Sequence, residues 1–173
     1  KNDIDRLVGP VAIGHVRYRT SGTSSGMNET QPFWVAAPYG IALAHNGNIS
    51  NQEPLRRYLV EQRRHHLHSD SDSEILIHLF SDYLRSYEDT ADSAEFFKIL
   101  CEVIAKIMHQ VEGAYSVVCS IVGKGLIAFR DPHGIRPLCI GQGQTQKDTF
   151  MFASETAPFF SLGLQSIGDV LPG

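Results

Sequence analysis

Three short stretches of this 173-residue chain combine residue types that could act on a small polar molecule. The first is "ALAHNGNISN", residues 42–51, where an apolar run ends abruptly in Asn46-Gly47. Asn-Gly accepts positive φ, so a sharp turn is expected there, and a turn leaves backbone N–H groups unpaired. The Asn46 amide beside the Gly47 N–H would bring two donors toward one point, which is what an oxyanion needs. Taken alone, the pair reads more simply as a plain hairpin or a strand–helix turn. The second is "GHVRYRTSG", residues 14–22, which puts Arg17 at a strand end before a loop rich in Gly, Ser and Thr. A guanidinium there could hold a carboxylate in a bidentate pair while the loop closes over it. The third is "SDSDSE", residues 69–74, with Asp72 in the first turn of a helix, where the helix dipole favours an ionised carboxylate. Such an Asp could bind an ammonium, although taken alone capping is the better explanation. Together these supply a cation for a carboxylate, an anion for an ammonium and donors for an oxyanion. That set fits an amino acid whose side-chain carbonyl is attacked.

His65, His66 and His68 invite a zinc reading, but neighbouring histidines diverge in direction and no Cys lies near. The usual ligand spacing is lacking, so a solvated loop and no metal site are expected. The three cysteines, Cys101, Cys119 and Cys139, also lack metal spacing and read as buried thiols of a reducing, cytoplasmic protein. A net charge of −4 and a pI near 6.0 argue against nucleic acid or an anionic membrane as partner. No apolar run approaches the roughly 20 residues that span a bilayer.

The elements that must position these residues follow from periodicity. Strands are expected over residues 11–16, 32–36 and 40–45, the last two joined by "APYG". A helix should start at Ser50, with a Ser50/Glu53 capping box and Leu55, Tyr58 and Leu59 facing inward. A second should start at Ser71, with a Ser71/Glu74 box and an apolar stripe of Ile75, Leu76, Leu79, Phe80 and Tyr83. A third should cover 92–110, burying Phe96, Phe97, Leu100, Ile104, Ile107 and Met108, with Cys101 beside them in the core. "AYSVVCSIV" and "LIAFR" read as a hairpin about "GKG", "DPHG" as a type I turn, and "LCIG" and "TFMFAS" as further strands. "ETAPFFSLG" reads as a short helical turn ending at Gly163. Strands, then helices, then strands indicate one α+β layered domain.

Four stretches, "GHVRYRTSG", "AHNGNISN", "SDSEIL" and "FRDPHGIRPL", occur in the order and at spacings similar to those of a known family. On them the sequence resembles the glutaminase half of amidophosphoribosyltransferases, over essentially its whole length. Asparagine synthetases share the last motif but lack an "HVRY…TSG" segment. Glucosamine-6-phosphate synthases share the Arg, Asn-Gly and Asp sites but usually have Trp after the Arg. The resemblance implies an N-terminal-nucleophile hydrolase fold, a four-layer αββα sandwich of antiparallel sheets. It implies that an N-terminal Cys attacks the glutamine amide with its own α-amine as base. Ammonia then displaces pyrophosphate from phosphoribosylpyrophosphate in a separate domain, the first committed step of purine synthesis. Carried over, Arg17 holds the glutamine α-carboxylate with Thr20 nearby, Asp72 binds the α-ammonium, and Asn46 and Gly47 form the oxyanion hole. No cofactor is implied for this stretch, Mg2+ is implied for the phosphoribosyltransferase domain, and the full-length protein is expected to be a homo-oligomer.

Two features depart from the family pattern. Arg19 stands where a small residue is usual, and none of the three cysteines matches the nucleophile. Residues 1–173 are therefore read as a partial type 2 glutamine amidotransferase domain, incomplete at its N-terminus, with Lys1 an interior cut. The nucleophile-bearing segment and the phosphoribosyltransferase domain are expected outside it, and the chain alone is expected to be inactive. The alternatives are a non-catalytic glutamine-binding module of the same fold or the glutaminase domain of another amidotransferase.

Overall fold

The computed structural model describes residues 8–16, 30–87 and 89–173. The readings of Arg17, Arg19 and Thr20 lie outside the described residues. Strands β1 (Phe33–Val35), β2 (Ile41–Ile49), β3 (Gly113–Ile121) and β4 (Gly125–Arg130) form an antiparallel sheet in that order. Strand alternation sends Leu43, His45 and Ile49 of β2 to one face and Ala42, Ala44 and Asn46 to the other. The first face carries the main core, together with Tyr115, Val117, Cys119 and Ile121 of β3.

Three helices cover that face. α1 (Gln52–Arg57) runs into a π-helical turn, Tyr58–Gln62, and α2 (Asp72–Leu84) and α3 (Ser93–Gln110) follow. α2 packs on β1, β2 and α3 at once. Ile75, Leu76, Ile77, Leu79 and Phe80 are consequently all buried, a wider apolar surface than the stripe expected from the sequence. Each such side chain contributes about 1.5–3 kcal/mol on leaving water. α3 buries Phe96, Leu100, Val103 and Ile107. Phe97, expected inside, is 66% exposed and Cys101 is exposed too. At 100° per residue both fall off the 96/100/103/107 stripe, and Val103 takes the core position.

A second antiparallel sheet holds β5 (Cys139–Gly143), β6 (Phe150–Ala153) and β7 (Leu164–Asp169), in the order β6-β5-β7. Short helix α4 (Ala157–Ser161) sets Phe159 so close to Gly141 that a Cβ there would lie 2.8 Å from the ring. This sheet faces the free side of β2 and β3. Ala44, Asn46, Ser116 and Val118 share a 90 Å³ cleft with Phe152 and Ser154. The α+β expectation holds: two stacked antiparallel sheets, with α2 and α3 covering the first.

Several local expectations are corrected. Residues 11–16 form no strand, since among the described residues no neighbouring strand offers them a ladder; Val11 and Val16 are 49% and 90% exposed. No turn occurs at Asn46-Gly47: β2 runs through it, pairing Asn46 with Ser116 and Gly47 with Tyr115. The pairing strand arrives from beyond α3, so local sequence could not announce it. Gly47 is required here for close approach, since a Cβ would run into the Ala114 carbonyl. Ser50 and Glu53 do not form a capping box. Asn51 is the N-cap residue of α1, and its amide instead bridges the Gln110 carbonyl (2.8 Å) and the Glu112 N–H (3.0 Å). Ser71 does cap α2, accepting from the Ser73 N–H. Glu74, however, turns away to accept from the His68 and Ser69 backbones and the Ser69 hydroxyl.

Candidate active site

β1 covers only the first residues of β2, so the side of β2 away from β3 changes its covering along its length. The odd-numbered residues of β2 direct their N–H and C=O groups toward β1. Ile41 and Leu43 meet Val35 and Phe33 there. Beyond β1 the Gln31 side chain continues the ladder, accepting the His45 N–H at 2.6 Å and donating to the His45 carbonyl at 3.1 Å. At Ile49 the N–H donates to Asp72 Oδ2 at 3.3 Å. Between these covered positions lies Gly47, whose N–H has no partner among the described residues. Among the described residues this donor is left open in an otherwise capped edge.

Beside it stands Asn46, half-buried on the opposite face of β2. Its Nδ2 donates to Ser154 Oγ at 3.0 Å, and its Oδ1 accepts from Arg136 Nη2 at 2.6 Å. An amide NH₂ has two hydrogens, so one remains for a ligand.

Asp72 meets the same segment from the helix side, with its side chain 20% exposed. One oxygen takes the Ile49 N–H and the other lies 3.6 Å from His45 Nδ1. His45 is buried, and Nδ1 is also 3.1 Å from Ser73 Oγ. Burial holds the His45 pKa below its ordinary value despite the attraction of Asp72, which favours the neutral ring at neutral pH. A neutral ring leaves the Asp72 charge uncancelled and available to a cation.

The "DPHGIR" segment is a rigid knot. The Gly134 N–H closes the expected turn on the Asp131 carbonyl at 3.0 Å. The Asp131 side chain is fully buried and accepts N–H groups from Tyr115, His133, Ile135 and Arg136. Burial pushes its pKa up, but the amide donors outweigh burial and hold it below the ordinary value. Arg130 ties the same turn down through the carbonyls of Arg136, Gly134 and Val170. The knot is what delivers Arg136 to Asn46.

The structure therefore brings Asn46, Gly47 and Asp72 to one end of β2. It adds Gln31, His45, Arg136 and Ser154, which sequence reasoning missed. Arg136 sits inside a motif already noted, and His45 adjoins Asn46. Gln31 and Ser154 carry no sequence signal, since only tertiary pairing gives them a role.

The histidine loop is less solvated than expected. The His65 side chain is only 7% exposed, with Nδ1 2.9 Å from His78 Nδ1 and Nε2 3.2 Å from Asp82, which also accepts from Arg63 at 2.7 Å. His66 and His68 are exposed. Among the described residues no group of three or more His, Cys, Asp or Glu could hold a metal ion. The cysteines are poor nucleophiles or lie elsewhere. Cys119 is buried opposite Leu43, its thiol pushed up to about 12 by burial. Burial, with Asp169, also raises the thiol of Cys139, while Cys101 stands exposed on α3. Among the described residues no helix is long and apolar enough to cross a membrane.

The chain is similar to known proteins over nearly its whole length. An Escherichia coli K12 protein named amidophosphoribosyltransferase is 44% identical over 98% of this chain. One of that name from Schizosaccharomyces pombe is 38% identical over 100% of it. The chain spans 33% and 32% of those relatives, about a third of their length. A solved structure of glutamine phosphoribosylpyrophosphate amidotransferase from B. subtilis, complexed with ADP and GMP, matches 92% of the chain and 30% of its own length. The TM-score is 0.68 at 31% identity. The stacked antiparallel sheets are thus the N-terminal-nucleophile hydrolase fold that the resemblance implied. The family model for the glutamine amidotransferase domain matches residues 15–161, and this chain belongs to that family.

Proposed function

We propose that this chain is the glutaminase part of an amidophosphoribosyltransferase, and that the end of β2 is where glutamine is hydrolysed. The observation that carries the reading is the Gly47 N–H, open among the described residues, beside the Asn46 amide and two residues from the Ile49 N–H that Asp72 accepts. In this reading Asp72 binds the glutamine α-ammonium, and Arg17 and Thr20 engage the α-carboxylate. The nucleophile is the N-terminal Cys of the whole protein, with its α-amine as base. The thiolate attacks the side-chain amide carbon, and the oxygen takes up negative charge between Asn46 Nδ2–H and Gly47 N–H. Collapse of that intermediate expels ammonia, and water hydrolyses the thioester to glutamate. Ammonia then displaces pyrophosphate from phosphoribosylpyrophosphate in a second, Mg2+-dependent domain, giving 5-phosphoribosylamine in the cytoplasm. No residue of this chain is assigned to the Mg2+. The full-length protein is proposed to be a homo-oligomer.

The Asp72 assignment is tested by Asp72→Asn in the whole protein. Loss of the charge–charge contact is expected to raise the KM for glutamine by about tenfold or more. Synthesis from free ammonia should be unaffected. Equal loss with both nitrogen donors would make Asp72 a structural residue.

A further inference from the structure

Arg136 is exposed, yet its guanidinium makes a 2.6 Å bond to Asn46 Oδ1 from a turn locked by the buried Asp131 carboxylate. The contact has a chemical consequence. A primary amide can sit in either of two orientations related by a 180° flip, exchanging a donor NH₂ for an acceptor oxygen. The other partner of Asn46 is Ser154 Oγ, at 3.0 Å. A hydroxyl both donates and accepts, so Ser154 tolerates either orientation. A guanidinium only donates. Arg136 is therefore the partner that holds Oδ1 toward itself and keeps the NH₂ on the opposite side, with one N–H on Ser154 and the other unclaimed among the described residues.

We propose that Arg136 is the positioning residue of the oxyanion hole, fixing the sense of the Asn46 amide and polarising it as a donor. This rests on the reading of Asn46 given above. Flipped, the amide would set a partial negative charge against the developing oxyanion. With the cation on Oδ1 the amide N–H becomes more positive, and its bond to an oxyanion strengthens more than its bond to a neutral carbonyl. The contribution therefore appears in kcat and not in ground-state binding.

The test uses the full-length protein with Arg136→Ala, Arg136→Lys, Asn46→Ala and the double variant Arg136→Ala/Asn46→Ala. Thermal unfolding followed by circular dichroism reports whether each is folded, and ammonia-dependent synthesis, which needs no glutamine site, reports that the second domain is intact. Removing one oxyanion donor typically costs 10²–10³ in kcat, and loss of its orienting cation is expected to cost about tenfold. Arg136→Ala should lower the glutamine kcat with KM little changed. It should weaken binding of the γ-aldehyde analogue of glutamine, whose thiol adduct carries the oxyanion, by a similar factor. Arg136→Lys should recover part of the loss, and the double variant should be no worse than Asn46→Ala. A wild-type kcat in Arg136→Ala beside a crippled Asn46→Ala would overturn the proposal and leave the oxyanion hole standing. Losses that simply multiply would place Arg136 elsewhere and overturn it too. If Asn46→Ala itself kept full glutamine activity, the reading beneath would fail and take the proposal with it.

Discussion

Asp72 and Asp131 both accept backbone N–H groups, yet they differ in how much of each carboxylate is left over. Asp131 is fully buried and receives amides from Tyr115, His133, Ile135 and Arg136. Asp72 receives the Ile49 amide, keeps a neutral His45 at 3.6 Å and leaves 20% of its side chain in solvent. A saturated carboxylate organises its own surroundings and can bind nothing more. An unsaturated one beside an open backbone donor has capacity for a ligand. Glu74 falls with Asp131, since the His68 and Ser69 donors occupy both its oxygens. Sorting acidic residues by remaining hydrogen-bond capacity separates the scaffold from the site more sharply than burial does.

That contrast is broken most forcefully at Asp131. Asp131→Ala strands its amide donors in the interior and is expected to cost about 3 kcal/mol or more. In a domain of this size that lowers Tm by roughly 6–12 °C, readable by calorimetry. Asp72→Ala in the same measurement is expected to cost about 1 kcal/mol, one partly exposed hydrogen bond. Similar losses at the two positions would remove the distinction.

The sequence was informative where structure is local and periodic. Helices α2 and α3, the β3–β4 hairpin and the "DPHG" turn follow from apolar spacing and turn chemistry within a few residues. It misled at Asn46-Gly47, because β3 pairs with β2 across the whole helical layer and converts an apparent turn into strand. It misled at Ser50 for the same reason, since Asn51 is claimed by the end of α3. Three residues that the structure gathers into the candidate site, Asn46, Gly47 and Asp72, were legible by type. The groups that orient them, Gln31 and Ser154, were not, because they are joined to the site only by tertiary packing.

A smaller effect sharpens the comparison at a second buried group. His78 is half-buried against His65, and burial followed by that neighbour brings its pKa down to about 4 from 6.5. Below pH 6.5 the unfolded chain therefore binds a proton that the folded chain resists. The folded state is expected to lose stability as pH falls from about 6.5 toward 4, and to keep that contribution in full above this window. Denaturant unfolding of the chain at pH 7 and pH 5 measures the slope, and His78→Phe should flatten it. An unchanged slope would mean that His78 is not the responsible group.

The most direct test of the account compares glutamine with ammonia as nitrogen donor in the full-length protein carrying Asn46→Ala. Loss of the side-chain donor beside Gly47 is expected to reduce the glutamine kcat by about 10²-fold or more while leaving ammonia-dependent synthesis intact. A glutamine kcat equal to that of the unaltered protein would contradict the assignment of this end of β2 as the oxyanion site.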